Sequence, residues 1–164
     1  MSFEKGDHVA HPHHGAGVIK DIIQLAMDGE ERAYYRIDLV SSGTQLMVPL
    51  QEADGIGLRP ALDDVQAIYR LLESSPTDLD DNYTIRQAEI TDRLRSGDPL
   101  QWASALCDLT WRARDHELTK KDADLRSELL SLLANEVALV TDASPEQVAH
   151  HLETILERVV DQAP

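Results

Sequence analysis

The chain has 164 residues, with 15 Lys and Arg against 30 Asp and Glu, a formal net charge of −15. That excess argues against broad, non-specific nucleic-acid binding, which depends on Lys and Arg displacing counterions from phosphates; a local basic patch is still allowed. Hydrophobic residues reach 42% but aromatics only 4%, so one ordinary domain or two small ones must be built on mostly aliphatic cores.

A Gly6-Asp7 turn leads into a short strand, His8 to His11, which Pro12 ends because proline has no N–H for a ladder. Gly15 and Gly17 then let the backbone bend into a second strand over residues 16–27. Asp28-Gly29 is a two-residue hairpin signal, since both turn positions tolerate positive φ. The run from Glu31 to Val40 alternates apolar and polar in its second half, as a half-buried strand does. Ser41-Ser42-Gly43 turns again, Thr44 to Pro49 is the next strand, and Gly57-Leu58-Arg59-Pro60 fits a last short one. Five short strands with no room for crossover helices predict a small antiparallel barrel of the Tudor or SH3 kind, because closure removes exposed edges.

From Ala61 the spacing becomes helical. Val65, Ile68, Tyr69 and Leu72 share one face of a first helix. A second runs from about Asn82 to Arg95, with Ile85, Ile90 and Leu94 inward. Ser96-Gly97-Asp98-Pro99 reads as a stop followed by a start. A third carries Leu100, Trp102, Leu106, Leu109 and Trp111, with Trp102 and Cys107 expected in the core. Thr119 and Asp122 read as a capping box before a fourth helix, about 120–140, and Ser144-Pro145 opens a fifth. The fold class is therefore α+β: a barrel over residues 1–60, then a compact five-helix domain over 61–164. The single cysteine, Cys107, excludes an internal disulfide and fits a reducing compartment. No secretory signal or membrane span is read, so a soluble, cytoplasmic, monomeric chain is expected.

The N-terminal pattern of Phe3, Gly6-Asp7, His11-Pro12-His13-His14-Gly15, Gly29, Val48-Pro49 and Gly57-Leu58-Arg59 resembles the RNA polymerase-interacting domain of the CarD/CdnL family of bacterial transcription regulators. No gap is needed across residues 3–59. Arg93-Leu94-Arg95-Ser96-Gly97-Asp98 and the segment Leu109 to Lys121 resemble the family's helical half. The resemblance implies a non-catalytic regulator with no cofactor and no metal. It implies that the barrel binds the β subunit of RNA polymerase by strand addition, through Leu25 and through Leu46, Met47 and Val48. Leu25 and Met47 stand where relatives often carry arginine, which weakens electrostatic steering. The resemblance further implies promoter DNA as a partner, with Trp111 wedging at the upstream edge of the bubble and Arg112, Arg114, Lys120 and Lys121 around it. Aligned on Leu118-Thr119, the wedge position falls instead on Thr110, one residue or ~100° round the helix.

The charges weigh against this DNA contact. Near Trp111, five positive groups (Arg112, Arg114, Lys120, Lys121, Arg126) meet four negative ones (Asp115, Glu117, Asp122, Asp124). Residues 61–164 carry 10 basic and 21 acidic side chains, or −11. The alternative is thus a polymerase-bound adaptor or negative regulator whose acidic helical domain leaves DNA alone. The cluster His8, His11, His13 and His14 reads as a turn that His13 and His14 shape by bonding backbone groups, as a zinc site or as a pH sensor. An enzyme is not expected: there is no nucleophile elbow, phosphate-binding glycine loop or paired ligand motif on a helix.

Overall fold

The computed structural model describes residues 1–163. Five antiparallel strands, β1 (His8–His11), β2 (Gly15–Met27), β3 (Glu30–Leu39), β4 (Gln45–Pro49) and β5 (Arg59–Pro60), form one sheet in the order β4-β3-β2-β1-β5. The β2–β3 hairpin turns at Asp28 and Gly29 with φ of 54° and 80°, the positive pair such a turn demands. Gly17 is required for a different reason: a Cβ there would stand 2.6 Å from the Asp38 carbonyl oxygen.

The expected closed barrel is not formed. β4 and β5 lie at opposite edges of the sheet and do not pair. The chain between them coils into a 3₁₀ turn, Leu50–Glu52, and a four-residue helix, α1 (Ala53–Ile56). β5 is therefore only two residues long and reaches β1 alone. α1, which precedes residue 61, makes six α-helices among the described residues rather than five. The others are α2 (Val65–Leu72), α3 (Tyr83–Arg95), α4 (Pro99–Asp115), α5 (Lys120–Thr141) and α6 (Pro145–Gln162).

The caps explain where these helices begin. Asp98 accepts the Leu100 N–H ahead of Pro99. Thr119 with Asp122 and Ser144 with Gln147 form two reciprocal capping boxes, each satisfying orphan N–H groups of a first turn. One expected orientation is reversed. Ile85 is 54% exposed, and its neighbour Arg86 points inward to Asp122. That rotation of α3 keeps the Arg86 guanidinium on the buried Asp122 carboxylate, which would otherwise stand uncompensated.

Two hydrophobic clusters result. Phe3, Val9, Ile19, Tyr35, Ile37, Leu39 and Val48 pack under the sheet with Ala53 and Leu58. Leucines of α4, α5 and α6 pack with Ile68, Leu72, Ile90 and Trp102 among the helices. Between the two, α5 packs against β1 and β2.

Candidate functional site

A bulge in β2 decides what the sheet shows to the outside. Ile19 pairs with Ile37 but Asp21 pairs with Arg36, which leaves Lys20 unopposed. Before the bulge, odd-numbered residues of β2 face the core with Ile37. Beyond it they face outward, because one extra residue inverts the alternation. Ile23, Leu25 and Met27 therefore share the outer face with their partners Tyr34, Arg32 and Glu30. Met47 of β4 joins them through its pairing with Arg36. The Tyr34 hydroxyl donates to Met27 Sδ at 3.4 Å, closing a small apolar layer over the strands. Leu25 is 40% and Met27 57% exposed.

This geometry sorts the four strand residues singled out in the sequence. Leu25 and Met47 lie on one face, two strands apart. Leu46 and Val48 pair with Ile37 and Tyr35 and point into the core, where Val48 is fully enclosed. Only the backbone of those two is offered outward. β4 is an edge strand with no neighbour beyond it among the described residues, so its outer N–H and C=O groups form a bare row. Sequence reading passed over Arg32 and Arg36. They stand on β3, between Leu25 and Met47 and on the same face. The Arg32-x-Tyr34-x-Arg36 alternation carried that signal. Arg36 is ion-paired to Asp21, and Arg32 lies 3.6 Å from Glu30.

The second group gathers at one corner of the helices. The Asp81 carboxylate meets Arg112 at 3.2 Å and its carbonyl accepts from Arg86 at 3.0 Å. Arg86 in turn holds Asp122, which caps α5. Lys120 and Lys121 are the first residues of that helix and are exposed. Cations at a helix N-terminus oppose the macrodipole, and Asp124 partly answers this through its ion pair with Lys120 at 3.0 Å. The Arg112 side chain is only 12% exposed. Burial acts to raise the Asp122 carboxyl, but bonds from Arg86, Gln87 and Thr119 outweigh it and hold it below the usual range.

Trp111 is half-buried. It lines a cleft of about 450 Å³ together with Pro76, Asp78, Arg112 and His116. Its indole N–H is buried without a regular hydrogen bond, and the Arg114 guanidinium stands 5.7 Å from the ring centre. Burial pushes the Cys107 thiol up to about 11, with Asp108 adding to the rise and the Trp111 indole opposing it. Thr110, the alternative wedge position, is tied down: it donates to the Leu106 carbonyl and accepts from Arg126 Nε at 3.0 Å. Trp102 is core, with its N–H on the Leu94 carbonyl at 2.9 Å.

His11 Nδ1 accepts the backbone N–H groups of His13 and His14 at 3.0 and 3.2 Å, so the turn is held by the His11 ring rather than by the His13 and His14 side chains expected to shape it. No cluster of three or more His, Cys, Asp or Glu side chains with metal-binding geometry occurs among the described residues. No helix there is long and apolar enough to cross a membrane.

The molecule is thus a sheet with a bare edge and an apolar outer face, followed by helices with a charged corner. Comparison with known proteins gives it a family. The CarD-like/TRCF RID domain matches residues 3–61 and the CarD C-terminal domain matches residues 67–153. The chain therefore belongs to the CarD/CdnL-like family of bacterial RNA polymerase-binding transcription regulators. It is 22% identical over 148 residues to YdeB, a transcription-factor candidate of Bacillus subtilis (strain 168), covering 89% of this chain and 97% of that protein. The N-terminal fragment of CdnL from Myxococcus xanthus is 25% identical, covering 39% of this chain and 90% of that one, with a TM-score of 0.34.

Proposed function

We propose that residues 1–60 bind the β-subunit lobe of RNA polymerase and that residues 61–164 act at the promoter complex the polymerase forms. The protein changes the lifetime of that complex through binding free energy, with no catalytic step. The observation that carries this is the bare β4 edge beside the outward patch of Leu25, Met27, Tyr34 and Met47. Strand addition at β4 gains main-chain hydrogen bonds, and the patch supplies the alternate side-chain contacts that such complexes use. In this reading Trp111 meets the upstream fork, with Arg112, Arg114, Lys120 and Lys121 beside the phosphates.

A second reading, an adaptor that leaves DNA alone, is favoured by two observations. Arg112 is turned onto Asp81, and the Trp111 N–H edge is turned into the protein.

The test is binding to the isolated β lobe and then to polymerase on forked promoter DNA. Met47 is part-buried on the outer face, and Met47→Glu sets its carboxylate beside the cross-strand Arg36, so the variant's folding is checked by circular dichroism before binding is measured. The variant is expected to weaken lobe binding at least tenfold, about 1.4 kcal/mol. Unchanged affinity would exclude this face. If Trp111→Ala then shortens the lifetime of the forked complex, the DNA reading stands. If the lifetime is indifferent to that change, the adaptor reading stands.

A further inference from the structure

Arg59 occupies the two-residue strand β5, at the edge of the sheet opposite β4. Its guanidinium keeps one bond to the strand, from Nη1 to the Pro60 carbonyl at 3.1 Å, and otherwise reaches the helices. Nη1 and Nη2 donate to the two carboxylate oxygens of Glu136 at 3.1 and 2.7 Å. Nε donates to the Gly97 carbonyl, in the α3–α4 turn, at 2.9 Å. The same group lies 5.8 Å from the centre of the Trp102 ring. Glu136 is only 1% exposed, on α5, and also accepts the Leu62 N–H at 3.1 Å. One side chain of the sheet thus engages α4, α5 and the α3–α4 turn together.

Elsewhere at this junction α5 packs against β1 and β2. Ala10 and Ala16, paired across β1 and β2, are both buried. They face the same way as Val18 and Asp38 and therefore lie on the outer face of the sheet. Small apolar surfaces of this kind permit close approach but little registration. A planar guanidinium held at both forks and at Nε has one orientation. With Arg59 29% and Glu136 1% exposed, this half-buried ion pair contributes little net stability, so specificity of arrangement is the better account of its presence.

We propose that Arg59 and Glu136 are positioning residues. They set the angle at which the helical unit is carried relative to the sheet, and so where its charged corner arrives once the opposite edge is docked. The functional half of this inference rests on the polymerase reading above; the mechanical half does not.

The double variant Arg59→Met with Glu136→Met removes the tie while leaving apolar side chains in its place. Arg59→Lys keeps the charge and loses the fork. Residual dipolar couplings on the full-length labelled protein are expected to fit one alignment tensor for the wild type and two for either variant. Lobe affinity should stay at the wild-type level, because β4 is four strands along the sheet order from β5. The effect on promoter-complex lifetime should be mostly lost. If the double variant fails to fold, Arg59→Lys decides. A single shared tensor in the variants overturns the mechanical claim. Two tensors with full retention of the lifetime effect overturn the positioning role. A wild-type chain that does not bind the lobe overturns the polymerase reading and the functional half with it, while the couplings still decide whether this tie sets the angle.

Discussion

His11 shows how much one side chain does in the β1–β2 turn. Its Nδ1 accepts two backbone N–H groups that Pro12 and the turn leave without ladder partners. Burial lowers its pKa first, and the charges of His14 and His13 lower it further. Their rings sit 4.7 and 5.9 Å away. Because the folded value lies below the ordinary one near 6.5, the unfolded chain binds the proton first as pH falls. Stability at this turn is therefore full above that ordinary value and declines as pH drops toward the folded one. Protonated imidazole has no acceptor, so the His13 and His14 amides are expected to lose exchange protection over that window. His11→Asn, whose side-chain oxygen also caps turns, should flatten the dependence. Protection that is unchanged from neutral to acid pH in the wild type would show that Nδ1 is not the group holding the turn. The four clustered histidines drew notice in the sequence, and Gly-Pro chemistry pointed to a turn. Which ring nitrogen takes which amide depends on three-dimensional closeness and could not be read there.

At the scale of elements, the sequence was explicit wherever the physics is local. Asp28-Gly29, Thr119 with Asp122, and Ser144-Pro145 announce their turn and caps within a few residues, and each forms where its chemistry places it. What was not legible depends on non-local competition. The bulge at Lys20 inverts the outward face of β2 without any glycine to mark it. The 3₁₀ turn and α1 consume chain that a fifth long strand would have needed. Arg86 outcompetes Ile85 for the inward side of α3 because Asp122, 36 residues later, awaits it at 2.9 Å. This last pair makes a prediction about α3 and α5 together. Arg86 and Asp122 are 3% and 0% exposed, so Arg86→Met strands a buried carboxylate and should cost roughly 3–5 kcal/mol at neutral pH. The folded Asp122 pKa lies below the usual value, so in the wild type this contribution is present above about 3.9 and is lost as pH falls through the lower folded value. Urea unfolding measures both. Adding Asp122→Leu to Arg86→Met should recover much of the loss. A single variant as stable as wild type would mean that water or a rearranged partner satisfies Asp122.

The whole molecule separates its charge from the apolar patch proposed as its contact surface. The chain carries −15, yet the outer face of the sheet beside β4 is built from Ile23, Leu25, Met27, Tyr34 and Met47. Its arginine at the centre, Arg36, is already neutralised by Asp21. An apolar contact bounded by an internally paired charge has little to lose to screening, because removing apolar area from water does not depend on counterions. Lobe affinity is therefore expected to change little between ~0.1 and ~0.5 M salt, where the Debye length shrinks from about 10 Å to less than half that. A DNA contact would behave oppositely. Each phosphate neutralised by Lys120, Lys121 or a neighbouring arginine adds about one unit to the slope of log affinity against log salt. Titrating salt with lobe alone and then with polymerase on forked DNA separates the two terms in one protein. A flat lobe curve with a steep DNA-dependent increment assigns the apolar face to polymerase and the charged corner to DNA. A flat curve in both cases leaves the acidic helical unit without phosphates to meet. A steep lobe curve would transfer the contact from Leu25 and Met47 to Arg32 and Arg36 between them, and the apolar patch would then be cover for Tyr34 rather than a docking surface.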